Sequence, residues 1–438
     1  MGMTKVSKYA AATVTTFFVA SCAVLYFSAN SDFAPIRGDL PPANNGRWVE
    51  EVEIEEFSVP LSNFTETLFE PEQEPEHEPD IAPDPYEAFE ADAREILATM
   101  TDEEKLYQLF IVTPEGLMPD FTTVSAAGES TRAAIEAKPV GGIIYLKQNL
   151  VNASQTEKML AGVQSYSKIP LFLGVDEEGG TVSRISSQPA MGFEKIPAMA
   201  EIGATGDASL AYETGAYIGQ MLGSLGFNLD FAPVADVLIN PDNEVIASRA
   251  FGSEPELVAS MTESITRGLR DYGIAATLKH FPGQGNTTDD THDGRSVSER
   301  TLEEMRETEF ISFASGIDAG ADLVMLAHIS AVNIDAGDIP ASMSPEIIEL
   351  LRTELGFKRV IITDALDMGA ITKVYDSGEA AVQAISAGVD ILLMPKNLTE
   401  AVQGLRDALE TGRLTWQQID ESLVRILTVK LERGIMVW

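Results

Sequence analysis

The chain has 438 residues, 45% of them apolar, enough to build a sizeable core. It carries 30 basic and 68 acidic residues, a formal charge of −38, so its surface repels nucleic acid and anionic lipid, which excludes DNA and RNA as partners. Its single cysteine, Cys22, excludes an intrachain disulfide framework and a thiolate metal cluster.

In chain order, Lys5 and Lys8 precede a mostly apolar run from Tyr9 to Ala29, long enough to span a bilayer. The basic flank predicts a cytoplasmic N-terminus with the rest outside. Residues 1–30 are expected to be a signal anchor or a secretory signal. Val19-Ala20-Ser21-Cys22 also resembles a bacterial lipobox, although the apolar run continues past Cys22. Either way the protein is expected on the extracellular face of a bacterial membrane, tethered there, or secreted. Residues 31–85 form a linker. From Glu50 to Asp92 there is no Lys or Arg, and EPEQEPEHEPDIAPDP (70–85) alternates acid with proline. Proline blocks helix and the acids repel, so an extended, disordered spacer is expected. His77 falls here and is expected to be a bystander.

Residues 86–438 read as one catalytic-size domain. Eight short apolar segments recur: 108–112, 141–146, 171–176, 229–236, 276–283, 322–328, 359–366 and 390–395. Most are continuously apolar, as strands covered on both faces are. Amphipathic helical stretches such as 254–272, 301–320 and 398–411 lie between them. Eight strand–helix units predict an α/β fold, a (β/α)8 TIM barrel, with a doubly wound open sheet as the alternative.

Asp176, Asp236, Lys279, His280, His328 and Asp364 fall at or near the C-terminal ends of these segments. In a barrel that edge carries the active site. The chain has four histidines, and KHFPGQGNTTDDTHDG (279–294) holds His280 and His292. By residue type alone this loop is open to three readings: metal ligands, proton transfer, or incidental surface residues. A metal is disfavoured by the cation of Lys279 beside His280.

The segments MTDEEKLYQLF (100–110), VDEEGGTVSR (175–184), IASRAFG (246–252), KHFPGQGNTTDDTH (279–292) and ITDALDMGAI (362–371) together resemble glycoside hydrolase family 3. The likeness runs from about residue 86 to the C-terminus and is strongest to the single-domain β-N-acetylglucosaminidases of bacterial cell-wall turnover. The resemblance implies a nucleophile at Asp364 and a general acid/base at His292 paired with Asp290. It implies sugar contacts from Asp176, Arg184, Arg249, Lys279 and His280. It also implies a retaining exo-hydrolase for terminal β-linked GlcNAc of peptidoglycan fragments, with a carbohydrate substrate, no cofactor or metal, and a monomeric state. Two positions depart from the family pattern: Thr181 stands where Arg is usual, and Gln284 where His is frequent. The sandwich domain of larger members is not expected, because the sequence stops soon after the eighth segment and its helix. A β-N-acetylglucosaminide phosphorylase and a non-catalytic glycan-binding surface protein remain alternatives. The neutral base form of His292 would let phosphate approach, and Asp364, His292 and Asp290 argue against a merely binding role.

Overall fold

The structure, a computed structural model, describes residues 85–287, 291, 294–335 and 339–438. The predicted leader, the linker to residue 84, Cys22, His77, Asp290 and His292 lie outside the described residues. No helix among the described residues is long and apolar enough to cross a membrane.

All eight predicted segments contain a strand of one sheet: Phe110–Val112 (β1), Gly142–Tyr145 (β2), Phe172–Val175 (β3), Leu229–Asp230 (β4), Ala275–Phe281 (β5), Leu323–Leu326 (β6), Val360–Thr363 (β7) and Leu392–Leu393 (β8). Every pairing is parallel, with Ile143 opposite Leu173 and Val360 opposite Leu323, for example. The strands are buried along their whole length, which is why they read as apolar runs rather than alternating ones.

The ends of the sheet meet. Ile362 bridges Ile391 in parallel, and the Thr363 amide donates to the Ile391 carbonyl at 3.0 Å. This closure corrects the open doubly wound alternative: the fold is a (β/α)8 barrel. Helices including Ala153–Tyr166, Ala208–Leu225, Pro255–Asp271, Glu309–Asp318, Ser377–Ala387 and Leu398–Thr411 alternate with the strands. The C-terminal helix Trp416–Glu432 packs against the first described helix, Pro85–Ala98.

Several strands are shorter than their apolar runs. The run 229–236 pairs regularly only over Leu229–Asp230, because Pro233, in a cis peptide with Ala232, has no N–H for the ladder. Beyond it only an isolated bridge joins Val234 to Lys279. The last run stops at Leu393 because Met394 turns into the left-handed region at φ 48° and Pro395 follows. Two small pairings lie outside the barrel. Glu177–Gly179 and Val182–Ser183 form a hairpin just after β3, and Ser296–Ser298 pairs with Ile329–Ala331.

Candidate active site

Asp364 is the first residue beyond β7. Its amide donates to the Leu326 carbonyl (2.9 Å), which fixes the chain on β6, and the Ala365 amide donates to its Oδ1 (2.8 Å). It lines a cavity of about 450 Å3 at the C-terminal mouth of the barrel. Burial raises its pKa, while His280 and His328 when protonated, the Ala365 amide and Lys279 lower it, the balance falling below its ordinary value. Lys279 and the Ala365 amide favour the carboxylate whatever the protonation state of the imidazoles.

The opposite wall is a linked set of buried ions. Lys279 Nζ lies 2.6 Å from Glu178 Oε1 and 3.0 Å from Asp176 Oδ1. Arg249 grips Glu178 with a two-pronged contact, Nε to Oε2 and Nη2 to Oε1, both 2.8 Å. Burial would raise the Glu178 pKa, yet Arg249 and Lys279 hold it far below the usual carboxylate range. Burial would lower the Lys279 pKa, yet Glu178 and Asp176 hold it above its usual value. Arg184 Nη2 reaches Asp176 Oδ2 at 3.7 Å, while its buried Nε has no partner among the described residues and remains a donor for a ligand. Donors and acceptors fixed at this spacing suit the vicinal hydroxyls of a sugar.

His280 is held on both ring nitrogens. Nδ1 lies 2.7 Å from Asp236 Oδ2, and Nε2 lies 3.3 Å from Arg249 Nη2. A guanidinium only donates, so Nε2 accepts and Nδ1–H donates to Asp236. The other Asp236 oxygen accepts from the Gln284 amide at 2.7 Å. His328 sits behind Asp364 and does not line the cavity. Its Nε2 donates to the Ala365 carbonyl (3.0 Å) and its Nδ1 accepts from Ser342 (2.7 Å), while burial lowers its pKa and keeps it neutral. Both imidazoles are thus engaged by protein groups. Below the cluster lies Asp230, fully buried. Its Oδ1 accepts from the Glu177 amide, its other oxygen has no partner among the described residues, and burial raises its pKa well above normal.

The structure brings Asp176, Arg184, Arg249, Lys279, His280 and Asp364 around one cavity, from four separate segments of the chain. Gln284 and Thr291 line it as well, so the cavity reaches the loop that carries Asp290 and His292, which are themselves outside the described residues. Thr181 lies exposed at the rim, its hydroxyl 3.5 Å from that of Ser248. Sequence reasoning passed over Glu178, the anion shared by Lys279 and Arg249, and gave Asp236 no role. A signal was present for Glu178: it lies in the same segment, VDEEGGTVSR, two residues beyond Asp176.

A closed (β/α)8 barrel with a charged cavity at its C-terminal mouth is an enzyme architecture shared by many chemistries. Residues 101–429 match the glycosyl hydrolase family 3 N terminal domain, and the chain belongs to that family. Beta-hexosaminidase A of Pseudoalteromonas piscicida is 35% identical over 321 residues, 66% of this chain and 53% of that protein. The chain thus spans about half the length of that relative. Beta-hexosaminidase of Stenotrophomonas maltophilia (strain R551-3) is 33% identical over 285 residues, 63% of this chain and 83% of that protein. Among solved structures, a glycoside hydrolase family 3 beta-N-acetylglucosaminidase from Paenibacillus sp. str. FPU-7 superposes with a TM-score of 0.73 at 37% identity, covering 78% of this chain and 64% of that one.

Proposed function

We propose that the protein is a retaining exo-β-N-acetylglucosaminidase. The observation that carries this reading is Asp364, held ionised at the mouth of the barrel opposite a wall of paired donors and acceptors. The names of the relatives supply the sugar. In the first step Asp364 attacks the anomeric carbon, the glycosidic bond breaks, and His292 gives its proton to the leaving oxygen. Asp290, two residues before His292 in the sequence, is assigned the role of setting the imidazole tautomer. In the second step His292 takes a proton from water, the water oxygen attacks the same carbon, and the ester to Asp364 breaks, so the product keeps the β configuration. Asp176, Arg184, Arg249, Lys279 and His280 hold the sugar. The proposed setting is the outer face of a bacterial membrane, with peptidoglycan fragments as substrate and the N-terminal segment as tether or export signal.

The test is release of p-nitrophenol from its β-N-acetylglucosaminide. The wild-type protein is expected to release it, and Asp364→Ala to lose roughly 10⁴-fold or more in kcat. Undiminished activity in that variant overturns the assignment of Asp364. NMR of the first-formed anomer distinguishes retention from inversion. A rate that depends on added phosphate, with sugar 1-phosphate as product, would make the protein a phosphorylase instead.

A further inference from the structure

Asp236 is fully buried and does not line the cavity, so whatever it does for the site it does through a neighbour. It lies just past the isolated bridge that joins Val234 to Lys279. The Ala235 amide donates to the Lys279 carbonyl (2.7 Å), and the Ala235 carbonyl accepts from the Ser312 hydroxyl (2.6 Å). The backbone before Asp236 is thus pinned from two sides, with its carboxylate set against His280. Both of its oxygens act as acceptors. Oδ1 takes the Gln284 amide at 2.7 Å, while Oδ2 takes His280 Nδ1 at 2.7 Å and the His280 amide at 3.3 Å.

From the imidazole a chain of contacts runs along the cavity wall. His280 Nε2 meets Arg249, Arg249 meets Glu178, Glu178 meets Lys279, and Lys279 meets Asp176. Donors and acceptors alternate along it. Arginine and lysine have no acceptor and an ionised carboxylate has no donor, so their links run one way. His280 is the one member of this chain that can run either way, because an imidazole carries its proton on either nitrogen.

We propose that Asp236 is a positioning residue of the reaction: it fixes the His280 proton on Nδ1, which leaves Nε2 to accept Arg249 and so sets the direction of the whole sugar-binding wall. The inference rests on the glycosidase reading above. Asp236→Asn exposes the role, because an amide offers one acceptor to two donors. Its NH2 must face either the Gln284 amide or the imidazole. A backbone N–H has no second form, whereas an imidazole has one. The NH2 therefore turns to His280, whose proton moves to Nε2 and there opposes Arg249 donor against donor. Arg249 is pushed from its seat, and its contact with Glu178 shifts with it.

The site holds its own reference. His328 carries the opposite tautomer, since its Nε2 faces the Ala365 carbonyl, which accepts and cannot donate (3.0 Å), and its Nδ1 takes the Ser342 hydroxyl (2.7 Å).

The experiment has a spectroscopic and a kinetic arm. The chain has four histidines, so 15N-histidine labelling gives a short list of imidazoles, and His280→Gln identifies the His280 signals by their loss. Long-range 1H–15N NMR is expected to show the His280 proton on Nδ1 in the wild-type protein and on Nε2 in Asp236→Asn, with the His328 proton on Nε2 in both. On p-nitrophenyl β-N-acetylglucosaminide, Asp236→Asn is expected to lower kcat/KM by about 100-fold, the wrong tautomer being the cause. The same change made on top of His280→Gln is expected to cost about threefold or less, because no ring remains to be misdirected. A wild-type His280 proton on Nε2, an unchanged tautomer in Asp236→Asn, or an equal loss of activity in both backgrounds would overturn the proposal. Loss of the His328 signals in Asp236→Asn would overturn it too, by making Asp236 a residue of the fold alone. No hydrolysis by the wild-type protein would overturn the glycosidase reading instead, while the spectra would still decide whether Asp236 sets the tautomer.

Discussion

Glu178 shows how much one unassigned residue can carry. Its side chain is 1% exposed and sits between Lys279, 3% exposed, and Arg249. A buried ion pair need not stabilise a fold, but removing one partner leaves the other charge without compensation. Here removal would leave two cations competing for Asp176 and would free Arg249 to move against His280. Glu178→Gln keeps the shape and removes the charge. It is expected to cost about 3 kcal/mol in urea unfolding and to lower kcat/KM on the aryl glycoside by about 100-fold. A variant as stable and as active as the parent would show that the cluster is incidental to both.

The hairpin after β3 is the element that converts this cluster into a pocket. Glu177 points to the opposite face from Glu178 and is fully buried. Its carboxylate accepts from the Ser183 hydroxyl (2.7 Å) and from the amides of Arg184 (2.7 Å), Ile185 (2.8 Å) and Ser186 (3.0 Å). Four donors on one carboxylate fold the turn that presents Arg184 to the cavity. The tip requires Gly179 and Gly180, at φ 89° and 58°, and a Cβ on Gly180 would come within 2.8 Å of the Ala198 Cα. Glu177→Ala strands three amides, of which those of Ile185 and Ser186 are buried. It is expected to cost about 3 kcal/mol and, by releasing Arg184, to raise KM roughly tenfold while changing kcat less. A fall in kcat with KM unmoved would place the hairpin in the chemistry rather than in binding.

At the scale of the whole molecule, both ends of the barrel pair buried ions: at the N-terminal ends of the strands Asp322 meets Arg359, and Asp390 meets Arg352 and Arg425. Lys430 departs from that pattern. At the N-terminal floor the C-terminal helix inserts Lys430, whose partners among the described residues are neutral, Gln108 Oε1 at 2.8 Å and the Gly141 carbonyl at 3.0 Å, beside the ring of Phe172. Burial pulls its pKa from 10.5 down to about 7. Between those values the unfolded chain holds a proton that the folded chain has lost, so stability rises with pH across that window. Below it both states are charged and the penalty is constant. The expected slope is up to about 1.4 kcal/mol per pH unit. Urea unfolding from pH 7 to 10 should show the rise, and Lys430→Met should flatten it. A parent protein without the rise would mean that its acceptors keep Lys430 charged.

The sequence by itself determined the elements and the edge on which chemistry gathers. The apolar runs marked eight buried strands because burial on both faces leaves no polar alternation. The ionisable residues at their ends marked the mouth of a barrel because an unpaired charge within a strand is too costly. The family motifs added Asp364, a residue whose local pattern alone does not distinguish a nucleophile from a turn-capping Asp. Only the tertiary structure decided which charges pair. Glu178 meets Arg249 across 71 residues and Asp176 meets Lys279 across 103, and no local spacing encodes either contact. His328 was legible only as a residue near a strand end, and only its contact with the Ala365 carbonyl shows a brace behind Asp364. Met394 carries no intrinsic preference for a left-handed backbone. Closure of β8 onto β1 imposes it, because a barrel must satisfy its last strand on both edges before the chain can turn away.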